Sequence, residues 1–311
     1  MEKAVTKKTL VRKLSGFVPL YLMMIPGLLY LFINNYLPMT GLVVAFKNYN
    51  ARKGIFGSDF VGFKNFEYLF KTSDGWVITR NTILYNFAFI VINTVLAVIV
   101  AILLSELTSK VRTRFYQSII LLPFLISSVI VSYLVFAFLS AENGFLNNTI
   151  LAALGIEPVA WYNEPKYWPF ILIIVSAWKS VGYSCIIYLA TIIGIDRGYY
   201  EAAELEGAGK LKQIWYITLP LLKPVIILLT MLALGRIFYS DFGLFYQVPQ
   251  NQGALYPTTN TIDTYVYRGL LQLGNISMSA AAGLYQSVVG FILVMGSNLL
   301  VRRLDKDSAI F

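Results

Sequence analysis

Long uncharged runs alternate with short polar stretches along the whole chain. Residues 14–46, 81–105, 115–141 and 269–301 contain no Asp, Glu, Lys or Arg, and each exceeds the ~20 residues a helix needs to cross a bilayer. Two further runs are interrupted: 167–195 carries only Lys179, and 221–246 carries Lys223, Arg236 and Asp241. The pattern predicts an all-α integral membrane protein of six transmembrane helices, at 17–37, 82–105, 115–139, 168–194, 221–243 and 279–301. The first run is longer than one span requires, which places 39–46 in or near the outer interface. Pro26 and Pro123 fall within spans, where kinks are expected because proline lacks the N–H that a helix interior needs.

Composition agrees with this reading. Of 311 residues, 57% are hydrophobic and 13% charged, and mean hydropathy is +0.66, against about 45–50% and about 25% in soluble domains. A net charge of +9 raises the question of nucleic acid, but the basic residues cluster at the ends of apolar runs, as membrane topology requires. Lys3, Lys7, Lys8, Arg12 and Lys13 precede the first span. Lys110, Arg112 and Arg114 follow the second, Arg197, Lys210, Lys212 and Lys223 follow the fourth, and Arg302, Arg303 and Lys306 follow the sixth. With an even number of spans all fifteen fall on one side, and excess Lys and Arg marks that side as cytoplasmic. Both termini, 1–16 and 302–311, are therefore expected in the cytoplasm. The apolar run 17–37 is too long for a signal peptide and no small-residue cleavage site follows, so an uncleaved first span is expected. Cys185, the single cysteine, lies inside an apolar run and reads as a small buried side chain. With no histidine in the chain, no metal site is expected.

The polar segments differ from one another. In the outer segment 38–80, Phe63, Phe66 and Phe70 recur at helical spacing beside Lys64 and Lys71. This suits either a helix along the membrane interface or one packed over the protein. Segments 140–167 and 244–278 are rich in Asn, Pro, Tyr and Gly, as loops facing a soluble partner or a solute would be. Segment 196–220 is different again. Asp196 is a candidate N-cap for a helix containing Glu201 and Glu204, Ala202 and Ala203 keep one face thin, and Gly207 permits a sharp bend. Leu211, Ile214, Trp215 and Thr218 then share a face of a second helix, which Pro220 and Pro224 are expected to end. On spacing alone this is either a hairpin packed on its own protein or a structured piece offered to a partner.

The string EAAELEGAGKLKQIWYITLPLLKP, starting at Glu201, resembles the signature loop of ABC importer permeases. There, EAA is followed after three residues by Gly and, nine residues later, by Ile-x-Leu-Pro. Glu201, Ala202, Ala203, Gly207, Ile217, Leu219 and Pro220 occupy every fixed position, while Glu206 stands where Asp is commoner. PLYLMMIPGLLYLFINNYLPMTGLVVAFKNYN, FVGFKNFEYLF and IDTYVYRGLL resemble the carbohydrate-uptake branch, especially permeases for oligosaccharides and polysaccharide fragments. The resemblance implies a single transmembrane permease domain over 1–311 in a bacterial cytoplasmic membrane. It also implies a coupling loop, 196–220, docked on a separate cytoplasmic ATPase that binds ATP and Mg. A second, related permease and an extracellular solute-binding protein complete the expected assembly. The chain has no Gly-x-x-x-x-Gly-Lys-[Ser/Thr] phosphate loop, so it is expected to be a transport subunit without an ATPase site and with no cofactor of its own.

The solute path is read from polar and aromatic residues at membrane depth. Charges there line a water-filled cavity or pair with one another, which leaves both readings open for Lys179, Arg236 and Asp241. Asn86 and Asn93, seven apart on the second span, share a face suited to hydrogen bonds between helices. Trp178, Tyr183, Tyr239 and Phe242 serve either as interface anchors or as stacking faces for sugar rings. A secondary transporter would leave the signature loop unexplained and shows no inverted repeat here. An ABC permease for amino acids or ions is the nearer rival. An embedded enzyme would need a catalytic cluster, and Glu142, Glu157 and Glu164 have no partner pattern.

Overall fold

Hydrocarbon offers no hydrogen bonds, so each apolar run must satisfy its backbone internally, and helices result. The structure, a computed structural model, describes residues 17–304; the basic segment 1–16 and residues 305–311 lie outside the described residues. Helix α1 (Val18–Leu31) continues through a widened turn at Phe32–Tyr36 and a tight one at Thr40–Phe46, giving a 29-residue rod over Val18–Phe46. No residue in 17–40 is buried within the chain. Its far end does pack: Val44 and Ala45 are buried, and Thr40–Phe46 lies against the last helix of the chain.

A two-residue hairpin follows, β1 (Lys47–Asn48) antiparallel to β2 (Asp59–Phe60), with Lys47 opposite Phe60. Helix α2 (Lys64–Lys71) leads into α3 (Ser73–Ser105), a 33-residue helix that begins nine residues before the predicted span. Helix α2 serves both readings of its aromatic pattern. Phe66 packs with Phe46, and Tyr68 stacks on Tyr265, while Phe63 and Phe70 are more than two-thirds exposed. Helices α4 (Lys110–Leu125) and α5 (Ser128–Leu139) follow, then α6 (Trp168–Ile193) and the short α7 (Arg197–Leu205). Next come α8 (Lys210–Gln213), α9 (Leu219–Leu234), α10 (Ile262–Leu271) and α11 (Ile276–Leu304).

Five of these helices are long and apolar enough to cross a membrane, and the α4–α5 pair, bent by 95°, makes a sixth span if taken together. Three departures from the sequence reading have physical causes. The third span is not one straight helix. Pro123 removes a donor in the last turn of α4, and the Ser127 side chain accepts the Ile130 N–H, which starts α5 in a new direction. The fifth span stops at Leu234 rather than 243: Gly235 follows it, the Arg236 and Ile237 N–H groups turn to the carbonyls three residues back, and further on the Ser240 N–H is taken by the Asp263 carboxylate at 2.7 Å. Finally, Pro220 does not end the second helix of the polar segment. Residues Ile214–Thr218 form a π-helical turn just before it, the widened geometry in which a missing proline N–H is tolerated, so helix runs unbroken from Lys210 to Leu234.

Helices α3 and α6 pack along each other and carry most of the core. In one half, Ala97, Val98, Ala101 and Leu104 meet Val181, Cys185, Tyr188, Leu189 and Ile192, with Leu222 of α9 against them. Cys185 is free and buried there, as expected. In the other half, Tyr85, Val131, Trp168, Leu172, Leu244 and Phe245 form a second cluster. A third joins α2 to Phe238, Ile262, Tyr265 and Ala282.

Candidate functional site

The polar segment folds as a helical hairpin. The Asp196 carboxylate accepts the Gly198 N–H at 2.9 Å and caps α7. At the other end Gly207 adopts φ +78°, donating its N–H to the Glu204 carbonyl while Ala208 donates to the Ala203 carbonyl. This pair of bonds closes a helix with a left-handed residue, the conformation glycine accepts without steric cost. The second helix then runs straight into a span. Buried Gln213 donates to the Ala208 carbonyl (3.1 Å) and to Glu204 (3.4 Å), and the Tyr200 hydroxyl meets Thr218 Oγ1 at 3.0 Å. Lys210 lies 3.5 Å from Glu204 and 3.7 Å from Glu106, at the end of α3. Between the hairpin and the ends of α3 and α4 lies a cleft of about 670 Å³, whose lining includes Glu106, Arg114, Arg197 and Glu201.

The hairpin's outer surface is apolar and unpaired within the chain. Glu201 and Ala202 are exposed, and Leu205 (91%), Leu211, Trp215 and Tyr216 (80%) are exposed around them. The spacing predicted one face containing Leu211, Ile214, Trp215 and Thr218. The structure divides it: Thr218 is buried and Ile214 half-buried, while Leu211 and Trp215 point away from the chain. Leu205 and Tyr216 were not singled out from sequence, although large apolar residues in so polar a segment are a readable signal.

At membrane depth the two breaks meet. Gly243, just past the second break, lies so close to Ser128 at the first that an added Cβ would sit 2.5 Å from Ser128 Oγ and 3.2 Å from Asp241 Oδ1. Only glycine permits this approach. Lys179 reaches the same place from α6, donating to Ser128 Oγ at 2.7 Å. Asp241 caps the turn that follows by accepting the Leu244 N–H at 3.1 Å, and Ser132 donates to the Gln247 carbonyl at 2.6 Å. One turn from Lys179, Tyr183 stacks on Phe124 with centroids 4.7 Å apart. On the opposite side, Asn93 contacts Ser176 at 3.4 Å, and its Oδ1 is buried with no hydrogen-bond donor.

The predicted path residues thus separate. Asn93 lies apart against Ser176. Tyr183 stacks on Phe124 one turn from Lys179, and Lys179 and Asp241 meet at Ser128 and Gly243. Phe242 lies beside them, stacked on Tyr246 at 4.9 Å and tilted against Tyr267 at 4.7 Å. Asn86 does not join: it donates to the Thr82 carbonyl of its own helix. Trp178, Arg236 and Tyr239 are exposed within the single chain. None of the ion pairs among the described residues includes Lys179, Arg236 or Asp241, so the ion-pair alternative has no support within this chain. Ser128, Ser132, Ser176 and Gly243 escaped the sequence reading because nothing local marks a contact between distant breaks.

The breaks are pinned by a buried polar knot. Asp263 Oδ2 accepts from the Ser240 N–H (2.7 Å), the Ser240 hydroxyl (2.7 Å) and Gln286 Nε2 (3.0 Å). Asn81 of α3 donates to the Asn260 carbonyl at 2.9 Å. Buried Arg268 donates to the Asn260 and Asn251 side chains and lies 4.1 Å over the Tyr256 ring. Its burial pulls its pKa below the ordinary value, and the neighbouring Tyr256 opposes that shift.

Five apolar helices long enough to cross a membrane, with a sixth span bent by 95° between α4 and α5, define a multi-pass membrane protein. Comparison places it further: residues 93–306 match the family described as binding-protein-dependent transport system inner membrane component, and the chain belongs to that family. It is 34% identical to Protein LplB of Bacillus subtilis (strain 168) over 93% of this chain and 90% of that one. It is 35% identical to the polygalacturonan/rhamnogalacturonan transport system permease protein YteP of the same organism, over 97% and 93%. Among solved structures it resembles a bacterial ABC transporter involved in the import of the acidic polysaccharide alginate. That match has 31% identity and a TM-score of 0.86, over 95% of this chain and 99% of that one. The protein is accordingly a permease, a transport subunit rather than an enzyme.

Proposed function

We propose that this chain is one of two related permeases of an ATP-driven importer that brings an oligosaccharide or polysaccharide fragment into a bacterial cell. It would sit in the cytoplasmic membrane with both termini and the 196–220 hairpin inside. An extracellular binding protein would deliver the solute, and two cytoplasmic ATPase subunits, which hold the ATP and Mg, would drive its passage. The solute class follows from the likeness to the polysaccharide importers over nearly the whole chain. One such importer was solved with a periplasmic protein carrying an alginate pentasaccharide.

The observation that carries the coupling role is the unbroken helix from Lys210 to Leu234. The hairpin carrying Glu201, Ala202, Ala203 and Gly207 presents an apolar surface to the ATPase. Ile217, Leu219 and Pro220 lie on the rod itself, about 37 Å long at 1.5 Å per residue. The rod ends at Leu234, ahead of the break in which Gly243 lies against Ser128 and, through it, Lys179. Rotation imposed at the hairpin therefore arrives at the breaks. There, Asn93, Tyr183 and Phe242 line the path with Lys179 and Asp241, and Trp178, Arg236 and Tyr239 complete it where the second permease closes over them. Asn86 is the least suited member, because its amide serves its own helix.

Purification from the native membrane in mild detergent, followed by mass spectrometry, tests the assembly. An ATPase and a second permease at near-equal amounts are expected. A chain that stays alone while other complexes survive would overturn the reading and favour a secondary transporter.

A further inference from the structure

We infer that residues 47–76 form a lipid-binding platform on the membrane face opposite the hairpin, seated on the headgroups of anionic phospholipids. The inference concerns how the chain sits in its bilayer and holds whichever solute it carries.

Helix α3 fixes the level of this segment. Its 33 residues extend about 50 Å at 1.5 Å per residue, well beyond a hydrocarbon core of about 30 Å. Its far end lies beside the hairpin, where Lys210 approaches Glu106. Its first turn, and the segment leading into it, therefore emerge at the other face. The segment is held there rigidly. Asn65 Nδ2 donates to the Ala45 and Lys47 carbonyls, both at 2.9 Å, and ties α2 to the end of the Val18–Phe46 rod. A Cβ on Gly75 would overlap the Leu69 carbonyl oxygen, so only glycine lets α3 start this close to α2.

The outward side of this fixed segment is ill suited to water. Phe56, Phe60, Phe63, Phe70 and Trp76 are each more than two-thirds exposed. On α2, Leu69 is buried and Tyr68 stacks on Tyr265, which sets the inner face. Helical spacing then puts Phe63 and Phe70 on one flank of the exposed arc and Lys64 and Lys71 on the other, about 100° round the helix. Rings toward the acyl boundary with ammonium groups above them is the pattern of a helix lying in the interface plane.

Charge decides the kind of lipid. The segment holds five basic residues against three acids, and every acid is engaged. Asp59 pairs with Lys53, Glu67 pairs with Lys71, and Asp74 accepts the Tyr68 hydroxyl. Lys47, Arg52 and Lys64 pair with no acid among the described residues, and Arg52 and Lys64 are exposed. A zwitterionic headgroup brings its own cation to such a surface, whereas an anionic one supplies phosphate without a competing charge. A soluble protein is the poorer occupant, because the same rings flank the uncharged run of α3 that begins at Asn81, where lipid is already the solvent.

The test uses the complete transporter in nanodiscs of phosphatidylglycerol and phosphatidylcholine in equal amounts, with its binding protein in solution. Benzoylphenylalanine placed at Phe63 or Phe70 is irradiated, and the adducts are identified by mass spectrometry. Phosphatidylglycerol adducts are expected to exceed phosphatidylcholine adducts by about 5- to 25-fold, as one or two basic residues at a lipid surface give. Arg52→Gln combined with Lys64→Gln should bring that ratio close to one without lowering the total of lipid adducts, and Lys64→Arg should keep it. Equal labelling of the two lipids without these substitutions, or an unchanged ratio in the double variant, would overturn the inference. So would adducts on the binding protein in place of lipid, which would make this face a protein contact. If the double variant fails to assemble, the ratio measured with Arg52 and Lys64 in place decides.

Discussion

The two ends of this bundle hold together by different means. Where α3, α6 and α9 meet near the hairpin, the contacts are apolar and small: Ala97, Ala101, Cys185, Leu189 and Leu222. Apart from the π turn at Ile214–Thr218 and the prolines of α9, the helices there are regular, so their backbones ask little of side chains. Around the breaks, by contrast, Asn81, Ser240, Asn260, Asp263, Arg268 and Gln286 are tied into buried hydrogen bonds. Irregular backbone at membrane depth survives only if its donors and acceptors are met by protein or water. The regular end can therefore move as a rigid piece, and the broken end can open a site while keeping its backbone satisfied.

The sharpest way to break this comparison is to remove Asp263. Its Oδ2 takes three donors, two of them from Ser240, in the irregular stretch after the fifth span's helix has ended. Asp263→Ala strands all three and should cost about 2–4 kcal/mol, read as a fall in unfolding temperature of the detergent-solubilised protein. Asp263→Asn keeps an acceptor oxygen and should recover part of the loss. An unchanged melting temperature in Asp263→Ala would mean that the break is held by other contacts.

Gly243→Ala tests the meeting of the two breaks. The new Cβ would lie 2.5 Å from Ser128 Oγ and 2.8 Å from Ser128 Cβ, an overlap costing about 1–3 kcal/mol. Transport should fall with it, since Lys179 loses the placement of Ser128, its hydrogen-bond partner among the described residues. Ser128→Gly in the same chain should restore stability without restoring Lys179's hydrogen bond. Recovery of uptake along with stability would show that this hydrogen bond is dispensable.

These two sites mark where the sequence stopped being legible. Four charge-free runs and two sparsely charged ones located the five straight spans and the bent α4–α5 pair, because excluding charge from hydrocarbon is a local rule visible residue by residue. The hairpin was legible too, through Asp196, Gly207 and the spacing between them. The breaks were half-legible: Pro123 announced a kink, while Ser127 set its position, and Gly235 with Arg236 interrupted an otherwise apolar run. The joining of Ser128 to Gly243, and of Ser240 to Asp263 and Gln286, depends on tertiary contacts that no periodicity encodes. The π turn ahead of Pro220 misled in the other direction, since a proline that should have ended a helix was absorbed instead.

At the hairpin, smaller effects on stability are expected. A Cβ at Gly207 meets nothing within 4 Å, so its substitution costs only the strain of a positive φ, about 1–2 kcal/mol. Gly207→Asn should be nearly silent, because asparagine tolerates this conformation. Gly207→Val should leave membrane insertion intact and uncouple uptake from ATP hydrolysis. Undiminished uptake in Gly207→Val would show that the angle between α7 and the rod does not matter to coupling.

The smallest effect is predicted for Lys210, which bridges Glu204 in the hairpin and Glu106 at the end of α3. At 3.5 and 3.7 Å, with all three side chains about half exposed or more, each contact is weak and salt-screened. Lys210→Ala should change stability by less than about 1 kcal/mol. The hairpin is already held by Gln213 and by the Tyr200–Thr218 contact. A melting temperature within about a few degrees of wild type, insensitive to added salt, is the expected outcome. A large, salt-dependent loss would reverse the comparison drawn above: the hairpin would then be steered by charge from α3, and the rigidity of the Lys210–Leu234 rod would no longer suffice to carry motion to the breaks.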